Sequence, residues 1–201
     1  MNFKECYFKF FGLFYVIIGI LAIFNVIFGI DSASSLWISY FAFFFIGLGI
    51  LTKDSYLIGS WFNIIFIPYF FWSADYLYNL FFSKSLWGIT DYMFSSRLFI
   101  SQIISIQHFF IIPVAILSIY FIKIQKKDFW KLSVSIISIL FILTRLFTKP
   151  IENVNCIFKS CLTFEIVSPL YPVIWFLAFF IMIGLVNLLL VKLRFFNSNK
   201  N

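Results

Sequence analysis

The sequence predicts an all-α integral membrane protein, a bundle of six transmembrane helices that forms a single domain over residues 1–201. Composition gives the first observation: 63% of the residues are hydrophobic, only 11% are charged, and the mean hydropathy is +1.02. Soluble domains carry about 25% charged residues, so the chain falls outside their range. The second observation is length, because six apolar runs approach the roughly 20 residues that cross a bilayer as a helix.

The predicted spans cover residues 7–30, 36–51, 56–82, 98–122, 129–147 and 170–193. A cleaved signal peptide is the alternative for the first span. Its apolar run exceeds the roughly 7–15 residues of a signal-peptide core and no A-x-A site follows, so we expect a retained helix. Small residues recur on one face of this helix and predict close approach of another backbone. They are Gly12, Gly19, Ala22 and Gly29.

Lysine and arginine are distributed unevenly about these spans. Six crossings put both termini and the second and fourth loops on one side, and that side receives ten of the 15 basic residues. The positive-inside rule therefore predicts cytoplasmic termini in a cell membrane. The net charge of +7 is spread over helix ends rather than gathered in a patch that could track phosphates, which excludes nucleic acid as a partner. The predicted partner is the lipid bilayer.

Polar side chains interrupt the third and fourth spans and form the candidate site. His108, the only histidine, lies near the middle of the fourth span, and Asp75 lies in the last third of the third span. Polar groups at such depth need protein partners or a watery cavity. The alternative for Asp75 is that its helix ends early and the carboxylate meets water. Four further polar residues share the helix faces of these two: Asn79, Arg97, Ser101 and Ser105.

These residues predict one polar pocket near the non-cytoplasmic side. If spans three to five are neighbours, Asp75 pairs with Arg145 or orients His108, and the second ring nitrogen of His108 is left free as a base or a ligand. The candidate catalytic residues are therefore His108 and Asp75. The alternative is a structural network in which His108 bonds a backbone carbonyl freed by Pro113 or Pro68.

The cysteines divide between the two predicted sides. Cys156 and Cys161 lie in the last loop, on the non-cytoplasmic side where disulfides persist, and Cys6 lies on the reducing side. A disulfide between the first two and a pair of free thiols both remain open. No metal site is expected, because the only histidine lies elsewhere. The chain also lacks the H-E-x-x-H, C-x-x-C, G-x-S-x-G and Walker-type motifs, and we expect no cofactor.

Four short motifs resemble a family of small uncharacterised prokaryotic multi-pass membrane proteins. They are SADYLY at 73–78, ITDYMF at 89–94, ISIQHFFIIP at 104–113 and TKPIENVNCIF at 148–158, so the resemblance extends from the third span to the loop after the fifth, about half of the chain. The resemblance implies no established activity, cofactor or substrate, but it adds Asn153 and Asn155 to the predicted pocket. The chain departs from the family pattern at Cys156, where an aromatic residue is expected.

Three functions remain open at this point. The first is binding or transport of a small or amphiphilic ligand, which the prolines within spans three and four favour because loosened backbone lines cavities in transporters. The second is a membrane-embedded lipid-modifying enzyme that uses His108 as the base and Asp75 to orient it. The third is a structural or accessory membrane subunit whose polar residues serve packing alone.

Overall fold

The computed structural model describes residues 2–27, 35–94, 99–162 and 169–197, and within these ranges the chain is all-α. Six α-helices follow the six predicted spans. They are α1 (Phe3–Ile27), α2 (Ile38–Thr52), α3 (Ser55–Phe82), α4 (Phe99–Ile122), α5 (Trp130–Phe147) and α6 (Tyr171–Lys192). The predicted all-α class is confirmed. The largest difference in the described part is the start of α1, which begins four residues before the predicted span.

Five of these helices, all except α2, are long and apolar enough to cross a membrane. The protein is therefore a multi-pass helical membrane protein. Helix α2 has 15 residues, and at about 1.5 Å per residue it is about 22 Å long, shorter than the roughly 30 Å hydrocarbon layer. A sixth crossing and cytoplasmic termini remain predictions.

Helices α1 and α2 form a tight hairpin because glycines line their contact. A Cβ atom added to Gly19 would lie 2.6 Å from the backbone nitrogen of Phe44, and one added to Gly47 would lie 2.6 Å from that of Val16. Real side chains do not tolerate such distances, so the two backbones are in direct contact. The predicted close approach along the small-residue face of α1 is thus present, with Gly47 as its unpredicted partner. Gly29 lies outside the described residues.

Helix α3 lies at the centre and packs against α2, α4, α5 and α6, whereas α1 packs against α2 and α4. A buried polar contact helps to hold this centre together. The Asn63 amide nitrogen donates to the Ser133 hydroxyl of α5 and to the Asn187 side-chain oxygen of α6, each at 3.3 Å. Such side-chain hydrogen bonds between membrane helices fix the relative rotation of the helices that they join.

The bundle has two distinct ends. At the terminal end, Glu5 pairs with Lys53, and the Lys123 ammonium donates to the Phe195 carbonyl at 2.7 Å. The first contact joins the start of α1 to the α2–α3 turn, and the second joins the α4–α5 loop to the segment after α6. The opposite end carries the α3–α4 loop and the α5–α6 loop, and the predicted pocket residues Asn153 and Asn155 lie in the second of these.

Candidate functional site

Asp75 is fully buried and is the anchor of the α3–α4 loop. Its Oδ1 accepts hydrogen bonds from the backbone N–H groups of Leu86 at 2.8 Å and Trp87 at 2.7 Å. Its Oδ2 accepts from the backbone N–H and the hydroxyl of Thr90, at 2.8 and 2.7 Å. Four donors on two oxygens match an ionised carboxylate, which only accepts. The loop thus supplies the compensation that makes a buried charge tolerable.

The structure does not bring Asp75 to the partners that the sequence predicts. Among the described residues, no hydrogen bond or ion pair links Asp75 to His108 or to Arg145. The physical reason is that N–H groups of the following loop, only 11 to 15 residues away along the chain, occupy both carboxylate oxygens. The alternative of a carboxylate in water does not match this arrangement either, since the side chain is 0% exposed.

His108 lies in an aromatic cage that the sequence prediction omits. Its Nδ1 lies 2.5 Å from the Ser105 carbonyl oxygen, one turn earlier in α4. The ring stacks on Trp72 with a centroid distance of 4.7 Å, and Tyr69 and Phe43 contact it at 4.3 and 5.6 Å. This arrangement resembles the predicted structural alternative, except that the carbonyl belongs to Ser105 and is not one freed by a proline.

The remaining predicted residues of α4 and α5 are separate from this cage. Ser101 accepts a 3.4 Å hydrogen bond from the Asn25 side chain of α1, so it contributes to a contact between helices. Arg97 lies outside the described residues. Arg145 is exposed at the end of α5, and its guanidinium lies 4.6 Å from the ring centroid of Phe158.

Asn155 ties three helices together at the opposite end. Its side-chain oxygen accepts from the backbone N–H of Ile38 at 2.8 Å, and so caps the first turn of α2, while its amide donates to the Leu36 carbonyl at 2.8 Å and the Thr144 hydroxyl at 3.3 Å. Its carbonyl accepts from the Trp175 indole of α6 at 2.9 Å. Asn155 has φ 56°, a left-handed conformation that Asn adopts more readily than most residues.

The contacts of Asn155 with α2, α5 and α6 form a structural clamp, and neighbouring residues of the α5–α6 loop complete it. Asn153 folds the loop back on itself, because its side-chain oxygen accepts from the backbone N–H groups of Phe158 and Lys159. Cys156 and Cys161 are joined by a disulfide, with Cα atoms 5.4 Å apart, whereas Cys6 is free and exposed. Both asparagines therefore lie in a structural clamp at the α5–α6 loop, separate from Asp75 and from His108.

A polar cavity of about 420 Å³ opens beside the Asp75 loop. Its lining residues are Asn79, Ser83, Lys84, Ser85, Asp91 and Phe94. The Asn79 amide donates to an Asp91 carboxylate oxygen at 3.4 Å. Of the predicted pocket residues that the structure describes, only Asn79 lines this cavity. Helical spacing selects residues within spans and cannot select loop residues; the signal available for the loop is its pair of opposite charges, Lys84 and Asp91.

The fold and these buried polar contacts define the class, a multi-pass α-helical membrane protein with a polar cavity at one end. No protein-family model matches the chain, and comparison with curated proteins and with solved structures gives no match. Within the described ranges no group of three or more His, Cys, Asp or Glu residues is placed to hold a metal ion.

Proposed function

We propose that this protein binds a small amphiphilic molecule by its polar head group in the cavity beside the α3–α4 loop. The observation that carries the proposal is the lining of that cavity. It presents an ammonium on Lys84, a carboxylate on Asp91 and an amide on Asn79 around one space of about 420 Å³. A head group that carries both charges would match this lining, so the proposed ligand is a zwitterionic amphiphile.

The surroundings of the cavity support an amphiphilic ligand. Phe81, Phe82 and Phe94 are 75%, 61% and 47% exposed next to the polar lining. Phe81 and Phe82 lie at the end of α3, a helix long enough to span a membrane, where hydrocarbon gives way to head groups and water, and Phe94 lies in the loop that follows. An apolar chain would pack on these rings while its head group entered the cavity.

The Asp75 loop prepares this site in advance. Because the carboxylate holds Leu86, Trp87 and Thr90 by four hydrogen bonds, the segment between Lys84 and Asp91 has a fixed path before any ligand arrives. A preformed loop loses little conformational entropy on binding. Asp75 thus supports the proposed binding site from behind without lining it.

A structural or accessory role is the second candidate, and one observation favours it. The side chains of Asp75, Asn153 and Asn155 make their hydrogen bonds with loop and helix groups of the chain itself. The predicted enzyme has less support, because its proposed base and orienting carboxylate make no described contact. Substrate turnover therefore does not form part of our proposal.

Binding of lysophosphatidylcholine to the purified protein in detergent, followed by native mass spectrometry, tests the proposal. Lys84→Ala and Asp91→Asn should each weaken binding about three- to fivefold, since exposed charges contribute up to about 1 kcal/mol. Lys159→Ala is the matched control, because Lys159 is an exposed lysine on the other loop at the same end. Unchanged binding by the Lys84/Asp91 double variant, or an equal loss in the control, would refute the cavity as the site.

A further inference from the structure

A second, apolar groove lies between α5 and α6. It has a volume of about 260 Å³ and is lined by Ser138, Phe141, Ile142, Pro172, Val173 and Phe176. Pro172 lies in the first turn of α6 and Ile142 in the last two turns of α5, so the groove is in the half of the bundle near the opposite end. Ile142 and Val173 are 54% and 55% exposed, which means that the groove opens outward.

This groove lies between two helices that are long and apolar enough to cross a membrane. Its outward opening would therefore face the hydrocarbon of the bilayer. Acyl chains are the apolar groups available at that position, and the gap between the two helices could take part of one chain. Dispersion contacts with Phe141 and Phe176 would favour a chain that entered.

A cation lies at the end of the same helix face. Ser138, Ile142 and Arg145 follow at steps of four and three, which places them in one row along α5. Arg145 therefore lies about one turn beyond Ile142, on the same face of α5. Its guanidinium is exposed, lies 4.6 Å from the Phe158 ring centroid, and makes no ion pair within the described part of the chain.

We infer that the groove and Arg145 together form a binding site for one phospholipid, with an acyl chain between α5 and α6 and the phosphate on the guanidinium. Arginine suits this role because its planar fork binds phosphate through two parallel hydrogen bonds. The Phe158 ring lies against the guanidinium. This site is separate from the cavity of the proposed function.

Native mass spectrometry of the detergent-purified protein with phosphatidylglycerol tests this inference. Arg145→Ala should weaken lipid binding about tenfold, the loss expected for a charge-assisted hydrogen-bonded contact. Lys149→Ala is the matched control, since Lys149 is an exposed cation four residues later, and it should bind within about twofold of the unchanged protein. Equal losses of binding in both variants would show that any cation in this region attracts the anionic lipid, which would contradict a specific site at Arg145.

The groove is tested separately from the cation. Ser138→Phe should fill the groove and displace the acyl chain, so binding should fall although Arg145 is intact. If that variant does not fold, Val173→Phe, at an exposed position, blocks the same groove. If a folded variant with a filled groove still binds phosphatidylglycerol, then the acyl chain does not bind in this groove.

Two further probes identify the chemistry that is recognised. Diacylglycerol with the same chains lacks the phosphate, so Arg145→Ala should not change its binding. Glycerol phosphate lacks the chains and should bind at least tenfold more weakly than the lipid, on the order of what a buried chain contributes. Equal sensitivity of diacylglycerol to the Arg145 change, or binding of glycerol phosphate as tight as that of the lipid, would contradict a phospholipid site.

Discussion

Thr90 donates twice to one oxygen of Asp75, through its backbone N–H at 2.8 Å and through its hydroxyl at 2.7 Å. Both residues are 0% exposed. This contact joins residues 15 positions apart and holds the α3–α4 loop against the end of α3. It shows why a carboxylate is tolerated within a helix of membrane-spanning length. The charge is surrounded by donors from its own chain, and the loop depends on that charge for its path.

Asp75→Asn should destabilise the protein by about 2–4 kcal/mol, because it removes a charged acceptor and directs amide hydrogens at loop N–H groups. Thermal unfolding in detergent measures the loss, and limited proteolysis within residues 83–94 should become faster. Asp91→Asn, an exposed carboxylate in the same loop, is the control and should change stability by less than about 0.5 kcal/mol. A thermal midpoint for Asp75→Asn equal to that of the control would contradict this account.

Gly19→Ala should lower the free energy of unfolding by about 1–3 kcal/mol, because the added methyl group meets the Phe44 backbone, which cannot move aside as a flexible side chain would. Gly184→Ala is a matched control within α6, since its Cβ would have nothing within 4 Å. That change should be neutral or slightly stabilising. Thermal unfolding of the two variants measures the difference. Equal midpoints would mean that α1 and α2 can move apart to accommodate the methyl group with little loss of stability.

His108→Phe should retain most of the stability, because Phe can keep the ring contacts with Trp72, Tyr69 and Phe43. His108→Ala should lose about 2–4 kcal/mol through the cavity it leaves. Unfolding curves for both variants measure the difference. If His108→Phe unfolds as readily as His108→Ala, then the imidazole hydrogen bond to Ser105 matters more than the aromatic packing.

Asp128 lies in the α4–α5 loop, and a hydrogen bond from the Lys131 ammonium lowers the pKa of its carboxyl group. Because the pKa is lowered in the folded state, the ion pair stabilises the fold at pH values above the ordinary carboxyl pKa. This contribution is lost as the pH falls through the folded pKa. Lys131→Ala should raise the Asp128 pKa toward its ordinary value. Carboxyl NMR titration checks this, with Lys192→Ala as a distant control; an unchanged titration would refute the pair.

Much of the fold can be predicted from the sequence, because the signals involved are local. Apolar runs of helical length mark the six helices, and the glycines of the first span mark the face that α2 contacts. Hydropathy carries no information on how a helix shorter than the bilayer is seated. Because α2 has only 15 residues, its crossing of the membrane stays a prediction.

The candidate site is harder to predict, because its hydrogen-bond partners are mostly backbone groups. Asp75 bonds three loop N–H groups, and His108 bonds the Ser105 carbonyl. Every residue except proline offers both kinds of group, so side-chain patterns cannot identify which ones meet. Sequence reasoning pairs side chains with side chains, and for this reason it predicts contacts of Asp75 with His108 or Arg145 that the structure does not contain.

The Asn155 cap has a consequence for the order in which the chain can assemble. The amide group that satisfies the start of α2 comes from a residue 117 positions later, and the Trp175 indole that holds this residue comes later still. During synthesis the first four helices can therefore form while the start of α2 still lacks this hydrogen-bond partner. The cap on α2 is complete only after Asn155 and Trp175 have left the ribosome.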